Sequence, residues 1–113
     1  MSIAVDLDGT LAFNSGYRGP HEISEPVPLM LARVRQWIAN GETVKILTAR
    51  VSGGDPEGCR PHIAAWLEEH GIGGLEITAE KDREMTEIWD DRAVQVLKNT
   101  GLRVDLQDAM VFA

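Results

Sequence analysis

Two aspartates one residue apart close an apolar run near the start of the chain, in IAVDLDGTLA at 3–12 (Asp6 and Asp8), and a second pair, Asp90 and Asp91, directly follows Trp89. Like charges this close stay ionised together only beside a cation. Carboxylates from two strand ends, with a backbone carbonyl and waters, make an oxygen site suited to Mg²⁺. An ion held there attracts a phosphate, and two further residues are equipped to hold its oxygens: Thr48 by a hydroxyl and Lys81 by an ammonium. A carboxylate can attack phosphorus to form an aspartyl-phosphate, splitting one hard step into two easier ones. A second carboxyl two residues along can protonate the leaving oxygen and later deprotonate the attacking water. Together these residue types offer phosphoryl transfer to water.

For such groups to meet, the strands that carry them must end on one rim, as they do in an open parallel α/β sheet, where ligands bind at the carboxyl ends. The apolar runs predict strands over Ile3–Leu7, Thr43–Thr48, Leu75–Thr78 and Glu87–Trp89, with a last one over Leu102–Leu106. Met30, Val34, Trp37 and Ile38 recur at helical spacing and predict a helix over Leu29–Asn40, stopped by Asn40-Gly41. Ile63, Trp66 and Leu67 predict another over His62–His70, and Ala93, Val94 and Leu97 a short third. The Gly- and Pro-bearing stretch 13–28 reads as a flap or loop, and 50–58 as a second loop. Strands alternating with helices predict an α/β domain over 1–113, mainly parallel, with helices on both faces. One interval fits badly: only residues 79–84 separate the third and fourth strands, whereas a parallel crossover needs a dozen or more.

The motifs resemble those of the haloacid dehalogenase (HAD) phosphotransferase superfamily. DLDGT at 6–10 matches its first motif, ILTAR at 46–50 its second, Lys81 its third and WDDRA at 89–93 its fourth, in family order. With no room for a cap, the chain is similar to the capless members with a three-layer, Rossmann-like fold. YRGP at 17–20, TAR at 48–50 and DDRAVQV at 90–96 resemble the 3′-phosphatase domain of polynucleotide kinase–phosphatases and small phage and bacterial proteins related to it. The resemblance implies Asp6 as nucleophile and Asp8 as general acid/base. It implies Mg²⁺ on the Asp6 carboxylate, the Asp8 carbonyl and Asp91, with Asp90 steadying Lys81 or a metal-bound water. Thr48 and Lys81 would bind the phosphoryl group, and Arg18 and Arg50 would orient the substrate.

Charge bears on the substrate. With 18 acidic against 11 basic residues the net charge is −7, which repels polyanions at long range. The family likeness points to a nucleic-acid 3′ end, the charge to a nucleotide or another small phosphate, and both stay open. Neither a membrane nor an obligate protein partner is expected. The lone Cys59 excludes an internal disulfide; with no export-like leader and no apolar run of spanning length, a cytoplasmic location is expected.

Plainer roles exist for each residue. Asp6 and Asp8 would suit a strand-end turn, Asp90 and Asp91 a helix start, and Lys81 a solvated loop. The competing functional class is a receiver-like domain that accepts phosphate on an aspartate without turnover. Such a domain carries its acceptor at the end of the third strand, where Leu75–Thr78 offers none.

Overall fold

The computed structural model describes residues 1–105. The apolar runs become four strands, β1 (Ser2–Val5), β2 (Thr43–Leu47), β3 (Glu76–Thr78) and β4 (Met85–Trp89), and two periodic segments become helices α1 (Pro28–Ala39) and α2 (Cys59–Glu69). The strands are all parallel, in the order β3-β2-β1-β4. Helix α1 opens with Pro28, whose missing N–H is harmless in a first turn, and stops at Asn40 and Gly41, the latter at φ +82°. Helix α2 begins three residues before the expected His62. The Asp55 carboxylate accepts from the backbone N–H groups of Cys59 (2.6 Å) and Arg60 (2.9 Å), which leaves Pro61 within the first turn, where it is tolerated.

Side chains alternate across the strands. Ile3 and Val5 of β1, Val44 and Ile46 of β2 and Ile77 of β3 share one face in register, and they form a single core with Met30, Leu31 and Val34 of α1 and Ile63, Trp66 and Leu67 of α2. Trp37 of α1 packs its ring 5.1 Å from that of Trp89 at the end of β4, and Arg35 donates to the His70 carbonyl (2.7 Å), tying α1 to the end of α2. Both helices therefore cover the same face. The expectation of helices on both faces is corrected among the described residues: Ser2, Ala4 and Lys45 look toward the other face, which carries no helix. The sequence holds a trace of this, since TVKIL alternates buried and less buried positions as a half-exposed strand does.

The short interval at 79–84 has a geometric resolution. β3 and β4 are not neighbours but lie at opposite edges, and the connecting residues cross the helix-free face without a helix. Lys45, 17% exposed at its side chain, pins this crossing by an ion pair to Asp82 (2.9 Å) and also pairs with Glu76 of β3 (3.3 Å). The Lys45 ammonium holds the Asp82 carboxyl below its ordinary value of 3.8. A carboxyl lowered in the folded state contributes stability above its unfolded value, lost as pH falls through the folded one. Lys45→Met should therefore raise amide exchange across 79–84 at neutral pH and remove that part of the protein's acid sensitivity below about pH 4. Unchanged exchange in this segment would show that the ion pair does not hold it.

The end of the described chain also differs from expectation. Residues 93–97 are not helical and the expected strand at Leu102–Leu106 does not form as far as it is described; residue 106 lies outside the described residues. Val96 and Arg103 instead form an antiparallel bridge, with Leu97 N–H donating to Leu102 (2.8 Å) and Val104 N–H to Gln95 (2.8 Å). Asn99 and Gly101 reverse the chain at φ +65° and +76°. Ala93, Val94 and Leu97 have helical spacing but Val94 and Leu97 find no face to bury against, and so short a helix does not persist without one. Among the described residues, no helix is long and apolar enough to cross a membrane.

Candidate active site

β1 delivers Asp6 to the carboxyl rim. Its N–H continues the ladder by donating to Trp89 of β4 (2.9 Å), and the chain then folds back sharply, with the Leu11 and Ala12 N–H groups donating to the Leu7 carbonyl (3.0 and 2.8 Å). Gly9 makes the reversal possible at φ +91°. A Cβ at position 9 would sit 2.6 Å from an Asp91 carboxylate oxygen. The same turn places the Thr10 hydroxyl to donate to Asp91 Oδ1 (3.3 Å) and accept from the Asp91 N–H (3.0 Å), fastening the ends of β1 and β4 together. Gly9→Ala combines left-handed strain with a clash, and a loss of about 1–3 kcal/mol is expected in urea unfolding. A neutral substitution would mean that this turn tolerates a side chain beside Asp91.

Asp6, Asp90 and Asp91 each bring a carboxylate oxygen within 4.8 Å of the others. Burial, then the charge of Asp90 and a hydrogen bond shared with Asp91, push the Asp6 carboxyl up to about 7. Such a trio is expensive to ionise unaided and fits an oxygen-ligated divalent cation, which would remove the repulsion.

Asp8 turns elsewhere. Both of its carboxylate oxygens accept from Arg50, at 2.8 Å from Nε and 2.9 Å from Nη2. Arg50 is only 6% exposed at its side chain and also donates to the flap carbonyls of Gly19 (3.4 Å) and Glu22 (2.9 Å). Its backbone N–H donates to the hydroxyl of the buried Thr48 (3.2 Å), in the 3-10 turn Ala49–Val51 that follows β2. The flap is thus folded against the rim. Its base is closed by the Ala12–Pro26 bridge, and Trp66 of α2 donates to the Ser24 carbonyl (3.0 Å).

A cleft of about 660 Å³ opens at this rim and is lined by Asp6, Asp8, Thr48, Arg50 and Asp90, together with Tyr17 and Glu57 of the loops. Asp91 joins Asp6 and Asp90 in the acidic trio but faces a neighbouring pocket lined by Gly9, Thr10 and Trp89. Besides Asp91, two more of the residues expected here are not among the lining residues. Lys81 is exposed in the crossing segment, two residues beyond Ala79, which does line the cleft. Arg18 is exposed in the flap and donates to Ser15 (3.3 Å). Conversely, Thr10, Tyr17 and Glu57 carry contacts that no spacing rule singled out; Thr10 had a signal as the last residue of DLDGT and Tyr17 as the first of YRGP, and Glu57 had none. No protein-family model, curated protein or solved structure matches this chain.

Proposed function

We propose that this chain is a Mg²⁺-dependent phosphomonoesterase of the capless HAD type, acting through an aspartyl-phosphate on 3′-phosphate ends of nucleic acid or on nucleotides. The observation that carries the reading is the convergence of Asp6, Asp90 and Asp91 at the carboxyl rim of a parallel sheet, with Asp6 and Asp90 sharing one cleft with Asp8 and Thr48. Asp6, Asp90 and Asp91 would hold the ion, which would offset the charge of the carboxylates and of the phosphoryl oxygens.

Asp6 attacks phosphorus as the bond to the leaving oxygen breaks; Asp8, which must first give up one of its Arg50 hydrogen bonds and take a proton from solvent, passes that proton to the leaving oxygen. Asp8 then takes a proton from a water that attacks the phosphorus of the aspartyl-phosphate, releasing inorganic phosphate and restoring Asp6. The Thr48 hydroxyl donates to a phosphoryl oxygen while its oxygen keeps the Arg50 N–H. Arg50 positions Asp8 by the paired hydrogen bonds described above. Lys81 joins the phosphoryl group only if the crossing segment brings it inward.

The test is phosphate release from a 3′-phosphorylated oligonucleotide and from adenosine 3′-monophosphate, with Mg²⁺ and with a chelator. Mg²⁺-dependent release from either supports the reading, and the ratio between them assigns the substrate. No release from a broad set of phosphomonoesters would overturn it.

A further inference from the structure

Tyr17 is an exposed aromatic residue with unusually firm support. Its hydroxyl donates to Glu57 (2.7 Å), and the Arg50 guanidinium lies over its ring, 4.9 Å from the centroid. Arg50 is itself fixed by Asp8, so the ring sits one guanidinium away from the proposed general acid. Tyr17 nevertheless remains 55% exposed as a residue and lines the cleft, so a ligand there can reach it. A flat ring held by its edge and one side loses little freedom when a second ring stacks on it.

We infer that Tyr17 is a stacking platform for the nucleobase of a mononucleotide whose phosphate lies at the acidic trio. The position of the phosphate rests on the phosphomonoesterase reading; the stacking does not. Volume and charge select the ligand. A cleft of about 660 Å³ is of the size that encloses a small organic ligand. Its ionisable lining is Asp6, Asp8, Glu57 and Asp90 against Arg50 and Arg92, and Arg50 is already paired with Asp8. A bound divalent cation serves one phosphate. A strand with further backbone phosphates would find, among the residues lining the cleft, only Arg92 not paired with a carboxylate, whereas the uncharged remainder of a mononucleotide needs no cation and gains from a ring to stack on.

The experiment measures binding of three probes, in Mg²⁺, to the full chain carrying Asp6→Asn, so that nothing turns over: adenosine 3′-monophosphate, glycerol 2-phosphate and a short 3′-phosphorylated oligothymidylate. The expected result is at least a roughly tenfold preference for the adenosine nucleotide over glycerol 2-phosphate. Tyr17→Leu should erase that preference, Tyr17→Trp should keep it, and the oligonucleotide should bind no tighter than the mononucleotide. Equal binding of the first two probes, or a preference that survives Tyr17→Leu, overturns the platform. Tighter binding of the oligonucleotide overturns the choice of a mononucleotide. Wild-type phosphate release indifferent to the base and to Tyr17→Leu removes this inference and leaves the phosphatase reading standing. Ring-dependent binding without phosphate release from any probe does the reverse.

Discussion

Asp6→Asn should lower phosphate release at least about a thousandfold while making the metal-free protein more stable at alkaline pH. The first half follows from chemistry: the amide keeps the shape of the carboxylate but is no nucleophile toward phosphorus. The second follows from the acidic trio. Folding raises the Asp6 carboxyl from 3.8 to about 7, first through burial and then through Asp90 and Asp91. A carboxyl raised in the folded state contributes stability that is fully present below its unfolded value and is lost as pH rises through the folded one. The metal-free wild type should thus lose stability between about pH 4 and pH 8, and Asp6→Asn should not. Thermal melts without metal measure this. A variant both inactive and less stable at pH 8 would show that Asp6 matters to the fold instead of to the chemistry.

The second large effect concerns Asp91. It shares the trio with Asp6 and Asp90, and its Oδ1 accepts from Thr10. Removing a residue that only orients a metal ligand typically costs about 10–100-fold in affinity or activity, so losing a direct ligand should cost at least as much. Asp91→Asn should raise the Mg²⁺ concentration for half-maximal activity by on the order of a hundredfold. It should also shrink the thermal stabilisation that Mg²⁺ gives. That stabilisation is itself pH-dependent, because the ion needs ionised carboxylates: in the wild type it should be large at pH 8, above the Asp6 value of about 7, and small at pH 5. Equal Mg²⁺ dependence in wild type and Asp91→Asn would remove Asp91 from the ion's shell.

Local patterns carried most of the framework. The runs before Asp6, Thr48 and Asp90 announce the strands, and the rule that ligands sit at carboxyl ends gathers these residues on one rim. What the sequence concealed depends on pairings across long separations. The Asp8–Arg50 pair joins residues 42 apart, and no periodicity connects them. The edge-to-edge crossing at 79–84 rests on Lys45, which reads in sequence as an ordinary strand residue. Lys81 illustrates the same limit. Its place in motif order is legible, but whether its ammonium reaches the cleft depends on the path of the crossing segment. The hairpin around Asn99 was hidden for another reason: Ala93, Val94 and Leu97 carry a helical period, and the left-handed turn at Asn99 and Gly101 outweighs it.

The central claim is that Asp6 carries the phosphoryl group during turnover. Its most direct test is a rapid acid quench of the wild-type chain mixed with adenosine 3′-monophosphate and Mg²⁺, followed by mass analysis of the peptide containing residues 1–18. A phosphoryl group is expected on Asp6 at early times, decaying as free phosphate appears, and none in Asp6→Asn. Phosphate release at full rate from Asp6→Asn, or turnover with the phosphoryl group on another residue, would contradict it.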